Sequence, residues 1–200
     1  MLFQLLLASE NAGKLLEMKP LLSNLPVKIV TPSDLGLKLE VEEDGGSYAE
    51  NAAIKAKAYC LASGLPALAD DSGLEVEGLG GQPGIHSHRF CPKTGADDAD
   101  RRSYLISRLS LSGKEEPWLA CFRCTVAVAT PQGGLFFSEG LCPGEIIKIE
   151  RGSNGFGYDP IFLLKDKGLT MAELPLSEKN NLSHRSRAVE AILPVIMSLL

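Results

Sequence analysis

The stretch Leu65-Pro66-Ala67-Leu68-Ala69-Asp70-Asp71-Ser72-Gly73 carries a short apolar run straight into two adjacent carboxylates. A run of this length followed by Ser-Gly predicts the end of a buried strand, with a turn at Ser72 and Gly73. Along a strand, neighbouring side chains point to opposite faces. Only one of Asp70 and Asp71 can therefore look into a given cleft, while the other braces the turn or the backbone. Two acids at a strand's end suit a metal ion, and Asp71 is the candidate for the chemical role. The competing interpretation is an Asx-turn, in which both acids merely accept hydrogen bonds from nearby amides.

Upstream, a helix is predicted over Tyr48 to Ala62, closed by Gly64-Leu65-Pro66. Asn51 and Lys55 share one of its faces, a turn apart; Lys55 is either directed at a ligand or half of a surface ion pair of little energetic weight. The segment before it, Leu39 to Gly46, holds Glu40, Glu42, Glu43 and Asp44, acids that suit a helix N-terminus and include candidates for a metal ligand. Nearer the start, a strand is predicted over Leu2 to Ala8. Ser9-Glu10-Asn11-Ala12-Gly13-Lys14 then turns into a helix bearing Leu15, Leu16, Met18, Leu21 and Leu22. Such a junction gathers free N–H groups, the positive end of the helix dipole and the Lys14 charge, which suits a phosphate, although G-x-x-x-x-G-K spacing is absent. Capping by Ser9 or Asn11 accounts for the same residues without a ligand. A further strand is predicted over Val27 to Val30.

Downstream, Gly78 to Gly84, GLGGQPG, precedes no helix and predicts a tight loop rather than a dinucleotide fingerprint. His86 and His88 lack further ligands at zinc-type spacing. A helix over Asp97 to Leu111 is followed by strands over Trp118 to Ala129 and Leu135 to Glu150, joined by the hairpin signal Pro131-Gln132-Gly133-Gly134. Cys121 and Cys124, three apart in a strand, face opposite sides, so this pair predicts neither a redox nor a zinc motif. In Gly152 to Asp159, GSNGFGYD, Phe156 and Tyr158 are expected to be exposed among glycines, where they suit a planar ligand; core packing of one ring is the alternative. Ser177-Glu178-Lys179-Asn180 leads to Ser183-His184-Arg185, a cap and first turn of a helix over Arg185 to Leu199 that contains Pro194. Cations there oppose the helix dipole, which suggests that His184 and Arg185 answer to a ligand.

The chain has 200 residues, 44% apolar, and no linker-like stretch, which predicts one domain over 1–200. A net charge of −5 argues against a nucleic-acid backbone as partner but leaves a small anionic ligand open. The start MLFQLLLASENAGK has no basic leader and no small-residue cleavage site, so neither a signal peptide nor a membrane span is expected. Five cysteines without framework spacing suit reduced thiols in the cytoplasm.

Six motifs now stand in order: S-x-N-x-x-K at Ser9, Asn11 and Lys14; E-N-A-x-x-K-A from Glu50 to Ala56; ADDSG from Ala69 to Gly73; GGQPG; FGYDP from Phe156 to Pro160; and SHR from Ser183 to Arg185. Together, along essentially the whole chain, they resemble the inosine triphosphate pyrophosphatase family, enzymes that hydrolyse ITP, dITP and XTP. The resemblance implies an α/β fold, a long curved mixed β-sheet flanked by helices in two lobes with the nucleotide cleft between them, in a magnesium-dependent homodimer. It implies Asp71 as general base and metal-side acid, with Glu42 as second metal carboxylate and Glu43 its rival. It assigns the triphosphate to Ser9, Glu10, Asn11, Ala12, Gly13, Lys14 and Lys55, and a nucleotide contact to Ser72. Phe156, Gly157, Tyr158, Asp159, Lys179, His184 and Arg185 would enclose the base. Glu10 in the phosphate loop and His88 in the Ser87 to Arg89 loop depart from the family pattern. The implied reaction yields a monophosphate and pyrophosphate. A Maf-type pyrophosphatase acting on pyrimidine or modified nucleotides, and a non-catalytic nucleotide binder, are the rival readings.

Overall fold

The computed structural model describes residues 3–200, so the first residue of the strand predicted over Leu2 to Ala8 lies outside the described residues. The chain runs β1 (Gln4–Leu7), α1 (Ala12–Leu22), β2 (Lys28–Val30), α2 (Tyr48–Ser63), β3 (Ala67–Val76), β4 (Pro83–Gly84), α3 (Asp98–Leu111), β5 (Trp118–Ala129), β6 (Leu135–Ile146), β7 (Phe162–Leu164), β8 (Leu169–Thr170), α4 (Leu176–Lys179) and α5 (His184–Ser198). The strands form one mixed sheet in the order β2-β1-β3-β5-β6-β7-β8, with β4 paired to β3. β1 is parallel to β2, in register Gln4 with Lys28, and to β3, in register Leu6 with Ala67. β3 with β4, β6 with β7 and β7 with β8 are antiparallel.

The chain divides into two compact units. The first holds the described residues up to Asp71 with Cys124–Gly140 and His184–Leu200; the second holds Ser72–Arg123 and Leu141–Ser183. In the first unit, strand alternation sorts the core. Leu5, Leu7, Leu68, Cys124, Val126 and Val128 pack with Met18 and Leu22 of α1 and with Val189, Ile192 and Ile196 of α5. Their neighbours Leu6, Ala8, Ala67, Ala69, Ala127 and Ala129 pack instead with Ala52, Ala56, Tyr59 and Cys60 of α2. Helices thus cover both faces of strands that are apolar throughout, as parallel strands require. The second unit has its own core, in which Leu105 and Leu109 of α3 meet Leu74, Trp118, Phe122, Tyr158, Ile161 and Phe162.

Local signals explain most element ends. Asn11 caps α1 by accepting from the Lys14 N–H, Ser47 caps α2 through the Glu50 N–H, and Asp97 and Asp100 form a reciprocal capping box on α3. Gly64 closes α2 in the left-handed conformation. The Thr130–Gly134 turn closes with the Thr130 N–H on the Gly134 carbonyl, and β6 ends at Ile146, short of Glu150. The turn predicted at Ser72 and Gly73 does not form. β3 runs unbroken to Val76, because the sheet offers this backbone partners that a turn would forfeit: Leu74 registers with Gly84, and its N–H reaches the Ser87 Oγ at 2.8 Å.

Candidate active site

Because β3 is a regular strand at Asp70 and Asp71, the alternation that sorts the apolar core also sorts the two acids. Asp70 follows Leu68 onto the α1 and α5 side, where it is buried. Its Oδ2 lies 3.0 Å from Lys14 Nζ and 3.3 Å from Arg185 Nε, and Cys124 Sγ sits 3.9 Å away. Arg185, also buried, directs Nη1 to Glu17 of α1, itself buried. Burial alone would raise the Asp70 pKa. Lys14, Arg185 and Lys55 outweigh it and hold the carboxyl well below the ordinary range.

Asp71 follows Ala67 and Ala69 onto the α2 side. The Asn51 Nδ2–H donates to its Oδ2 at 3.0 Å, while the Asn51 Oδ1 accepts from the Gly45 N–H at 2.9 Å, so one buried amide ties the acidic segment to the carboxylate. One turn along α2, Lys55 Nζ meets Glu43 at 2.8 Å and the Asp70 carbonyl at 3.1 Å. The Asp71 pKa is raised, burial being the main cause. Lys14, the Asn51 hydrogen bond and Lys55 pull it down, and Glu43 adds to the rise. Glu42 is exposed and makes no ion pair among the described residues.

At the end of β1, Ser9 is buried and its Oγ accepts from the Asn11 N–H at 3.3 Å, shaping the entry to α1. Ala12, Gly13 and Lys14 form the first helical turn. Glu10 is exposed and accepts from Tyr59 Oη of α2 at 3.3 Å, so its charge is turned onto a neighbouring helix.

In the second unit, Lys179 and Asp159 form a buried ion pair, and Asp159 Oδ2 also accepts from the Phe156 N–H at 2.9 Å. Lys179 Nζ lies 5.3 Å from the Phe156 ring centroid. Gly155 is required here, because its φ is +75° and an added Cβ would fall 2.0 Å from Asp159 Oδ2. Phe156 is half-buried. Tyr158, expected to be exposed, is instead a core residue, its Oη donating to the Ser87 carbonyl at 2.9 Å. Ser72, half-buried, follows Asp71 on β3.

Cations at the start of α5 were expected to signal a ligand, yet Arg185 answers to Glu17 and Asp70 inside the first unit; His184 beside it is buried. The partner Glu17 escaped the sequence reading. Its only signal is a position three residues after Lys14, beside the apolar Met18. Cys121 is half-buried and Cys124 fully buried, in keeping with opposite faces. Among the described residues, no group of three or more His, Cys, Asp or Glu side chains gathers in an arrangement that could hold a metal ion.

Residues 5–195 match the model of the Ham1 family. A dITP/XTP pyrophosphatase of Geobacter sulfurreducens is 44% identical over 186 residues, 93% of this chain and 92% of the relative. Among solved structures, a HAM1 protein from Coxiella burnetii superposes with a TM-score of 0.88 at 37% identity, covering 98% of this chain and 99% of that one. The Ham1 protein of Staphylococcus aureus gives 0.84 at 32%, covering 98% and 100%. The resemblance carried by the six motifs therefore holds along the chain's length, and this chain belongs to the Ham1 family.

Proposed function

We propose that this chain hydrolyses deaminated purine nucleoside triphosphates, namely ITP, dITP and XTP, to the monophosphate and pyrophosphate, removing them from the nucleotide pool. One observation carries the reading: a buried carboxylate with a raised pKa, Asp71, stands among two lysines of a Ham1 chain whose relatives bear the name dITP/XTP pyrophosphatase. In the reaction, water attacks the α-phosphorus and the bond to the β-phosphate oxygen breaks. Asp71 orients the water and takes its proton, and a pKa raised by burial suits that task. Lys14, Lys55 and the N–H groups at the start of α1 hold the phosphates and offset the charge developing on pyrophosphate.

A divalent cation fits the donor set. Lys14, Lys55 and Arg185 face Glu17, Glu43, Asp70 and Asp71, so the cluster has one more acid than base before a triphosphate arrives. Magnesium is bound through one or two carboxylates plus substrate phosphates, which needs no all-protein cage. Asp71 and Glu42 are the residues to hold it, because Glu43 spends its charge on Lys55 whereas Glu42 is uncommitted. When bound, magnesium supplies charge neutralisation on the phosphate oxygens. Glu42→Gln is expected to raise the half-saturating magnesium concentration about tenfold, and Glu43→Gln to change it less than about twofold, in a titration of initial rates.

The base is assigned to the Phe156 loop. Phe156 offers a half-buried ring for stacking, and the Lys179–Asp159 pair beside it offers a donor and an acceptor to a purine edge. Tyr158 supports that loop from the core of its own unit, its Oη donating to the Ser87 carbonyl. Homodimerisation is supported by β6, which leaves Phe137 and Leu141, on one face of the strand, exposed. A cytoplasmic setting is supported by five cysteines, none in a disulfide; among the described residues no helix is long and apolar enough to cross a membrane. The deciding assay is pyrophosphate release from ITP, dITP, XTP, GTP and ATP, in magnesium and in chelator. Release confined to the deaminated nucleotides and abolished by chelator is expected; indifference to the base, or no release, overturns the reading.

A further inference from the structure

Gly157 lies in a loop whose neighbours Phe156 and Asp159 are read above as base-recognition residues, yet its own backbone is held from another element. Its N–H donates to Asp98 Oδ2 at 2.8 Å, and its carbonyl accepts from Arg102 Nη1 at 2.9 Å. Both partners sit at the start of α3, four residues apart and so on one helix face. Each is itself fixed. Asp98 pairs with Arg101, and Arg102 spends Nε and Nη2 on Glu150, at 2.8 and 2.9 Å, a two-pronged pair that fixes the guanidinium plane.

The N–H belongs to the peptide joining Phe156 to Gly157, and the carbonyl to the next one. Gly157 has φ +62° with open space where a Cβ would stand, so side-chain packing does nothing to hold it there. Phe156 is thereby pinned on both sides, by Asp159 on its own N–H and by α3 on the following peptide.

We propose that Asp98 and Arg102 are positioning residues for nucleobase recognition, gripping Gly157 by both backbone groups and so fixing where Phe156 presents its ring. This rests on the reading of the Phe156 loop as the base site. Neither residue touches substrate; each acts through Gly157. A charged hydrogen bond on a backbone group contributes more than a neutral one, so losing one arm loosens the loop without unfolding the unit.

The test compares the parent with Arg102→Ala, Arg102→Lys and Asp98→Ala, measuring kcat and KM for ITP and XTP and the inhibition constant of pyrophosphate, a ligand without a base. For Arg102→Ala and Asp98→Ala we expect KM for ITP and XTP to rise about tenfold, with kcat and pyrophosphate inhibition within about twofold. Arg102→Lys, which keeps one charged donor, should fall between the parent and Arg102→Ala. A merely structural role would weaken pyrophosphate inhibition together with ITP, and that parallel loss overturns the proposal. If Arg102→Ala fails to fold, Glu150→Gln takes its place, since it frees the guanidinium without removing it; an unchanged KM for ITP then overturns the proposal. A parent that turns over ITP and whose variants keep its KM overturns this inference alone, whereas a parent that releases no pyrophosphate from ITP overturns the assigned function as well.

Discussion

Asp70 and Asp71 are one peptide apart yet shifted in opposite directions, the first held down against burial by Lys14, Arg185 and Lys55, the second raised by burial, and the difference predicts different losses. Asp70 anchors Lys14 and Arg185, so Asp70→Asn leaves two cations without their shared counter-charge in a buried setting. Removing one partner of a buried ion pair costs about 3–5 kcal/mol, and urea denaturation should register a loss of that order. The pH dependence has a definite sign. The folded-state pKa is depressed, so the Asp70 contribution is fully present above the unfolded value and is lost as pH falls toward the folded one. The parent should lose stability progressively below about pH 4, and Asp70→Asn should show a flatter acid limb. Asp71→Asn keeps the shape and the Asn51 contact but loses the base: kcat for ITP should fall by at least about a hundredfold while nucleotide binding, measured by calorimetry, persists. A variant within a few-fold of the parent would remove Asp71 from the chemistry.

Among elements, α1 and α5 are tied by the buried Glu17–Arg185 pair as well as by apolar contact, whereas α2 reaches the site through Asn51 and Lys55, one turn apart. The loop from Gly152 to Asp159 has little room for change. A methyl group at Gly155 meets the Asp159 carboxylate and the Lys179 ammonium, at a φ that L residues rarely adopt. Gly155→Ala should destabilise the protein by roughly 1–3 kcal/mol through that strain. Kinetics should show a higher KM for ITP and unchanged inhibition by pyrophosphate, because the phosphate-side groups belong to the other unit. Equal loss of both would mean that the glycine supports the fold rather than the base site.

For the whole molecule, β6 exposes Phe137 and Leu141, four residues apart and so on one face of the strand, apolar side chains that a second copy of the chain would cover. Sedimentation should therefore report a particle of about twice the 21.4 kDa chain. Phe137→Asp, which places a charge on that strand, should shift the equilibrium toward monomer; a parent that sediments as a monomer at every concentration would leave the exposed face unexplained by self-association.

Much of this protein was legible from residue order alone. Apolar runs, helical spacing and the breakers Gly64-Leu65-Pro66 located the long helices and most strands to within a few residues, since those signals act over one or two turns of chain. The six motifs named the family, because a nucleotide site demands particular side chains at particular spacings. Tertiary structure decided the rest. Whether Asp-Asp-Ser-Gly turns or continues depended on β4 and Ser87, which supply backbone partners from a dozen residues away, and β3 therefore runs straight. Burial of Tyr158 was settled by the core around α3, and the employment of Arg185 by Glu17, 168 residues earlier in the chain. A charge or ring read along the chain shows what it offers; its partner, and hence its role, exists only once distant segments are packed together.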